Sequence, residues 1–302
     1  MKKNIHIPVL VVDFGSQTTQ LIIRRIRELF VYCEIVSYKN VLVSIKKHSP
    51  KAIILSGGPS SAFKKKSPTI DKSIFTKGIP VLGICYGMQA IAQSLEGKVK
   101  ETKKREFGRA KIKVLKESKL FENVSKVMGL SKVWMSHGDE VIELPKKFVT
   151  IATTSGSNIT AFENKDKKIY GLQFHPEVVQ TVKGKQILSN FIFNIAQIKE
   201  KWKMEDFLES QIQKIRANVL QNEVICGLSG GVDSSVTAAL LSKAIGKQLT
   251  CIFVNHGMLR TNEEVEVVKT FKEHINANLI YVNAKQIFLN KLKGVSNPET
   301  KR

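Results

Sequence analysis

The sequence predicts an α/β protein: a domain with a mostly parallel central sheet over residues 1–200, then a partial doubly wound α/β domain over residues 201–302. Three observations carry this. Short, wholly apolar strand-like runs alternate with amphipathic helix-like segments, the pattern of a parallel sheet covered on both faces. The alternation stops at the charged run Lys199-Glu200-Lys201-Trp202-Lys203 and then restarts. A length of 302 residues also suits about two domains of roughly 100–200 residues each.

Taken in order, Pro8–Phe14 is a mostly apolar strand. Ser16 is placed to cap the helix that follows, in which Ile22, Ile26 and Leu29 recur at helical spacing while Arg24, Arg25 and Arg27 lie elsewhere. Ala52–Leu55 and Pro80–Ile84 are short buried strands, and Met88–Leu95 is a helix stopped by Gly97. A more antiparallel stretch near 110–175 ends in the strand Ile169–Phe174, and Gly184–Ile198 is a helix. Beyond the charged run, Phe207, Leu208, Ile212, Ile215 and Val219 share one side of a helix. Strand Val224–Leu228, helix Val232–Ile245, strand Leu249–Val254, helix Asn262–His274 and strand Leu279–Val282 then make a βαβαβ unit of about 60 residues. No closing element is expected after it, so this second domain reads as incomplete, with apolar faces and a sheet edge uncovered.

Composition narrows the class. Hydrophobic residues at 42% and charged residues at 25% fit a globular protein and exclude a disordered chain or a disulfide-stapled miniprotein. No apolar run approaches the ~18 residues of a membrane span, and the N-terminal Met-Lys-Lys-Asn-Ile-His has no signal-peptide core. A cytoplasmic protein without a membrane partner is expected. The charge is unusual: 48 Lys+Arg minus 26 Asp+Glu gives +22. Only 8 of the 48 are Arg, leaving 48 − 8 = 40 Lys, spread over many short clusters. Base readers favour the bidentate Arg fork, so this pattern reads as a solvated, compositionally biased surface with no nucleic-acid partner. Of the four cysteines, Cys33, Cys226 and Cys251 sit in apolar runs and read as buried small hydrophobes, and no pair has metal-ligand spacing.

Cys85 is different. Val81-Leu82-Gly83-Ile84-Cys85-Tyr86-Gly87-Met88-Gln89 reads as strand, sharp turn and helix start. Glycines two residues to either side permit a tight, strained turn that exposes the thiol and aims a helix N-terminus at it, favouring the reactive thiolate. A structural cysteine in an ordinary turn is the competing reading. In Gln173-Phe174-His175-Pro176-Glu177, residues two apart along an extended segment face one side, so Glu177 is placed to orient the His175 imidazole. Ser56-Gly57-Gly58-Pro59 ends a strand and can present a backbone N–H to an oxyanion; a simple turn explains it equally well.

Together, Gly-Ile-Cys-Tyr-Gly-Met-Gln, His-Pro-Glu and Ser-Gly-Gly-Pro resemble the class I (triad) glutamine amidotransferases. Asp13-Phe14-Gly15-Ser16-Gln17 and Val133-Trp134-Met135-Ser136-His137-Gly138-Asp139 resemble, within them, the glutaminase domain of the glutamine-hydrolysing GMP synthases. The resemblance implies a ligase of purine biosynthesis. Cys85 would attack the glutamine amide, His175 move the proton, Glu177 orient it, and the N–H groups of Gly58 and Tyr86 form the oxyanion hole. Gln89, Ser136 and His137 would contact glutamine, and Asp139 would serve communication between domains.

Gly227-Leu228-Ser229-Gly230-Gly231-Val232-Asp233-Ser234-Ser235 follows a strand and opens a helix. Its glycines and hydroxyls suit phosphate, yet it is no Walker A loop, because the Lys is absent. It resembles the pyrophosphate-binding loop of the ATP pyrophosphatases. By that resemblance Ser229, Gly230, Gly231, Val232, Asp233, Ser234 and Ser235 bind ATP, Asp233 helps hold Mg²⁺, and ATP adenylates XMP so that ammonia displaces AMP to give GMP. Where the resemblance leads one to expect Asp in Phe253-Val254-Asn255-His256-Gly257, Asn255 stands, and no catalytic role follows for it. Full-length relatives are expected to be homodimers through a domain beyond Arg302, so this chain reads as C-terminally truncated. A stand-alone glutaminase without synthetase activity is the alternative.

Overall fold

The computed structural model describes residues 7–62, 64, 67–124, 130–199, 201–274 and 277–301, apart from the side chains of residues 103–105, 130, 272 and 274. Contacts divide the chain into two compact units, His6–Lys203 and one holding Met204–Arg302.

The first unit runs β1 (Val9–Asp13), α1 (Thr19–Arg27), β2 (Cys33–Ser37), α2 (Val41–His48), β3 (Ala52–Leu55), β4 (Val81–Ile84), α3 (Tyr86–Ser94), β5 (Lys98–Val114), β6 (Leu130–Glu143), β7 (Val149–Thr153), β8 (Ala161–Asn164), β9 (Ile169–Leu172) and α4 (Gly184–Ser189). Its nine strands form one sheet in the order β2-β1-β3-β4-β9-β8-β7-β5-β6. The five strands from β2 to β9 are parallel, and β8, β7, β5 and β6 extend the sheet antiparallel. Every residue of β3 and β4 is buried, as wholly apolar runs covered on both faces require.

Three details differ from the sequence reading. Thr18, not Ser16, stands at the N-cap position of the first helix and makes no side-chain capping bond, while the Ser16 hydroxyl accepts the Thr18 N–H (3.1 Å) and so closes the turn before it. β2 and α2 intervene between β1 and β3, where the mixed burial of β2 gives no clean period. The helix from Gly184 is regular only to Ser189; Asn190–Ile195 is a wider π-turn in which Ala196 N–H reaches Phe191 O (2.9 Å). The Asn190 amide donates to Leu120 O (3.0 Å) and Glu122 O (2.7 Å), while Phe191, Ile192 and Ile195 stay buried; the widened turn lets all four do so.

The second unit runs α5 (Met204–Val219), β10 (Val224–Leu228), α6 (Val232–Ile245), β11 (Leu249–Asn255), α7 (Glu263–His274), β12 (Asn278–Asn283) and α8 (Lys285–Leu292). Its parallel sheet has the order β10-β11-β12. Alternate residues of β11 (Leu249, Cys251, Phe253, Asn255) face a small core with Cys226, Leu228, Ala238 and Phe271. Apolar side chains lie open elsewhere, as expected of half a doubly wound sheet: Ile225 is 71% exposed and Val236 61%. The expectation that nothing follows β12 is corrected by α8 and a single turn at Pro298–Lys301, short segments with no buried residue to mark them. No helix among the described residues is long and apolar enough to cross a membrane.

Candidate active site

The turn between β4 and α3 holds Cys85 at φ 51° and ψ −105°, a left-handed conformation strained for a residue with a side chain. Hydrogen bonds fix it there. Cys85 N–H donates to Leu172 O on β9 (2.7 Å), and Gly87 N–H to Ser56 O beyond β3 (3.0 Å). The flanking glycines allow the approach: a Cβ on Gly83 would fall 2.6 Å from the Gly87 backbone, and one on Gly87 2.4 Å from Leu55 O. The first turn of α3 therefore starts at the thiol. The expected exposure of that thiol is corrected, since Cys85 is only 6% exposed. Residues far off in sequence cover it: Cys85 Sγ–H points at Ser136 O (3.7 Å), and Gln173 Nε2 lies 3.8 Å from Sγ.

His175 and Glu177 lie beyond β9 in a turn, not in an extended segment, and the turn is what brings them together: His175 Nδ1 and Glu177 Oε1 are 2.8 Å apart. Both are buried, Glu177 wholly. Burial pulls the imidazole pKa down, but hydrogen bonds and charge from Cys85 and Glu177 outweigh it and push His175 up to about 10. Further bonds seat the pair: His175 N–H donates to Trp134 O (3.1 Å), Thr181 Oγ1–H to His175 O, and Arg25 Nε–H from α1 to Glu177 O (3.0 Å). Arg25, Thr181 and Gln173 have no role in the sequence reading; only Gln173 had a signal, its place in the Gln-Phe-His-Pro-Glu string.

The Gly57-Gly58 turn lies between these parts. A Cβ on Gly57 would stand 3.4 Å from His175 Cε1, and one on Gly58 3.3 Å from the Tyr86 ring. Among the described residues the backbone N–H groups of Gly58 and Tyr86 have no hydrogen-bond partner. Gln89, one turn into α3, is 3% exposed; its Nε2 donates to Asp139 O (2.9 Å) and Gln173 Oε1 (3.3 Å). Ser136 is exposed on β6, with its carbonyl toward the thiol. His137 is buried, with Nδ1 at Asp139 O (3.0 Å) and Nε2 3.3 Å from Glu106 Oε2 without a hydrogen bond. Burial holds its pKa below the ordinary value despite Glu106. The Asp139 carboxyl is pushed up by burial, against a hydrogen bond from Ser61.

In the second unit the Ser229–Ser235 loop links β10 to α6 and is largely exposed. Ser234 Oγ accepts Ser229 N–H (3.2 Å) and donates to Gly231 O (3.1 Å), Ser229 Oγ accepts Gly231 N–H (3.3 Å), and Ser235 Oγ–H donates to Gly231 O (2.9 Å). Gly230 takes φ +75°, which folds the loop back on the helix start. Asp233 is exposed on the first turn of α6. At the end of β11 Asn255 Nδ2–H donates to Glu264 Oε2 (2.6 Å) and its Oδ1 accepts Gly257 N–H (2.9 Å).

Comparison with known proteins gives two family matches: glutamine amidotransferase class-I over residues 10–195 and NAD synthase over residues 201–300. A protein named GMP synthase [glutamine-hydrolyzing] from Brachyspira hyodysenteriae is 52% identical over 302 residues, all of this chain and 58% of its own. One of the same name from Clostridium botulinum (strain Langeland) is 52% identical over 294 residues, 97% of this chain and 57% of its own. The chain thus spans under two thirds of the length of these curated relatives. The crystal structure of a protein described as one component of a GMP synthase, from Thermoplasma acidophilum, matches 64% of this chain and 94% of its own at 32% identity and TM-score 0.57. A glutamine amidotransferase from Thermotoga maritima, at 19% identity and TM-score 0.51, shares the fold. With the family match extending over well more than half of its residues and the thiol elbow inside that span, the chain belongs to the class-I glutamine amidotransferases.

Proposed function

We propose that this chain releases ammonia from glutamine at Cys85 and binds ATP at Ser229–Ser235, as the glutaminase half and the opening of the ATP-cleaving half of a GMP synthase. The observation that carries the reading is the strained Cys85 elbow beside the 2.8 Å His175–Glu177 pair. Cys85 Sγ attacks the side-chain amide carbon of glutamine, and the Gly58 and Tyr86 N–H groups donate to the oxyanion. His175 passes its proton to the leaving nitrogen, and ammonia departs. The His175 imidazole then takes a proton from water as the water oxygen bonds to the acyl carbon; the C–S bond breaks, glutamate leaves and the sulfur of Cys85 is regenerated. Glu177 keeps the ring in one tautomer throughout. Of the three glutamine contacts, Gln89 has both N–H groups engaged inside the protein and offers its carbonyl oxygen, while Ser136 offers its hydroxyl. The His137 ring is held inside the protein, Nδ1 at Asp139 O and Nε2 beside Glu106, and would back the glutamine site from there.

In the synthetase half, ATP would adenylate XMP, releasing pyrophosphate held by the Ser229–Ser235 loop, and ammonia would displace AMP to give GMP. The names and 52% identity of the longer relatives support this. Asp233, exposed on the first turn of α6, would add one ligand to Mg²⁺ carried in on the ATP phosphates. When bound, the ion would neutralise phosphate charge. A cytoplasmic, dimeric setting belongs to the same reading. Glutamate release by the purified chain, abolished in Cys85→Ala, tests the first half; activity surviving that change would overturn it. Pyrophosphate release with ATP and XMP tests the second, and glutamate release without it would leave a glutaminase alone.

A further inference from the structure

The geometry points to Gln173 as a further catalytic residue: its side-chain N–H is aimed at Cys85 Sγ by a chain of hydrogen bonds whose direction is fixed, so that the sulfur anion has a donor already in place. The inference rests on the reading of Cys85 as the nucleophile.

The direction of the chain follows from chemistry. A primary amide has two donors on nitrogen and an acceptor oxygen, and a buried one must have its atoms matched. Gln173 is wholly buried and Gln89 nearly so. The chain starts at Asp139 O, a backbone carbonyl that can only accept. Gln89 must therefore turn its nitrogen toward it, and Nε2 stands 2.9 Å away. The same nitrogen meets Gln173 at 3.3 Å, so Gln173 must present its oxygen there. That leaves Gln173 Nε2 facing Cys85 Sγ at 3.8 Å. Flipping either amide would set donor against donor or acceptor against acceptor. The main chain on both sides holds the pair: Gln173 N–H donates to Thr160 O (2.8 Å), and Gln89 N–H to Cys85 O (3.2 Å).

The consequence is specific to the charge on sulfur. A thiol can direct its proton to Ser136 O (3.7 Å), but a thiolate has no proton to give and gains from a donor. An N–H held on the sulfur favours the anion over the neutral form, apart from what His175 does. Gln89 acts one step back, as a positioning residue that keeps the Gln173 amide from turning over.

The test is the pH profile of alkylation at Cys85 by iodoacetamide in the full 302-residue chain, followed by mass spectrometry of the Cys85 peptide. Iodoacetamide reacts with the thiolate. Gln173→Met keeps the volume and removes the donor; the alkylation rate at pH 7 should fall about 3- to 10-fold, the worth of one hydrogen bond, and recover at high pH. A merely structural role would change the rate equally at every pH. Gln89→Met keeps Gln173 but frees its amide to turn, and should move the profile the same way by less; it decides the matter if Gln173→Met does not fold. Unmoved profiles overturn the role of Gln173. If Cys85 of the parent chain alkylates no faster than buried Cys33, the nucleophile reading itself fails, a separate outcome.

Discussion

Replacing Gly87 with Ala puts one methyl group where α3 meets β3. In most helices this change stabilises by about 1 kcal/mol, because Ala is the better helix former. Here the new carbon would lie 2.4 Å from Leu55 O, 2.7 Å from Leu55 Cβ and 2.8 Å from Leu55 C. Normal contact needs about 3.4 Å or more, so the helix start must withdraw from the strand by roughly 1 Å. Two of the three atoms belong to the main chain of a fully buried strand and cannot swing aside. The withdrawal also stretches the 3.0 Å bond from Gly87 N–H to Ser56 O. Overpacking costs about 1–3 kcal/mol and a weakened hydrogen bond about 1 kcal/mol more, so the clash outweighs the helix term and the sign reverses. We expect a net loss of about 1–3 kcal/mol, seen as a lower urea midpoint with an unchanged slope. Because the same shift displaces Cys85, glutamate release should drop on the order of 10²-fold. Gly227→Ala in β10, where nothing lies within 4 Å of the added carbon, is the control and should be tolerated. A Gly87→Ala chain as stable and as active as its parent would refute the close-approach argument.

Other expectations follow from the same geometry. Glu177→Gln keeps the shape but removes the carboxylate that, after Cys85, helps raise His175 and orients its ring; glutamine turnover should fall on the order of 10³-fold or more, measured as glutamate release. The imidazole pKa goes from 6.5 in the unfolded chain up to about 10 when folded, so its protonation stabilises the fold fully below pH 6.5. That contribution declines as pH rises toward 10, and His175→Leu should flatten this part of a melting-temperature profile. Ser234→Ala removes the hydroxyl that ties Ser229 N–H to Gly231 O; ATP binding followed by calorimetry should weaken about fivefold. Asn255→Asp would set a second carboxylate where Nδ2 now donates to Glu264 at 2.6 Å, and should destabilise the chain by about 1 kcal/mol or more at neutral pH, with partial recovery in acid.

What was legible in the sequence follows distance along the chain. Local rules located β1, β3, β4 and the βαβαβ repeat, because wholly apolar strands and helical spacing are set within a few residues. The Cys85 turn was legible for the same reason, since Gly83 and Gly87 announce a close approach in five residues. The cover over the thiol was not. It comes from Ser136 and Gln173, 51 and 88 positions away, which only the assembled sheet brings near. The His175–Glu177 pair was inferred for a wrong reason, through strand alternation, when a turn at Pro176 does the work. β5 hides from any period: its 17 residues begin with a polar run and carry a register irregularity between Glu101 and Glu106.

The Cys85 elbow is shaped by main chain and glycine more than by large side chains: by bonds to Leu172 O and Ser56 O and by the close approach that Gly83 and Gly87 allow. Backbone atoms are the same whatever the residue. Substitution of surface side chains therefore has little purchase on the elbow. A chain can carry forty lysines, the 48 basic residues less 8 arginines, while the skeleton of this turn stays as it is. Relatives of opposite net charge should share this turn nearly atom for atom, and chimaeras that exchange whole surfaces should keep it.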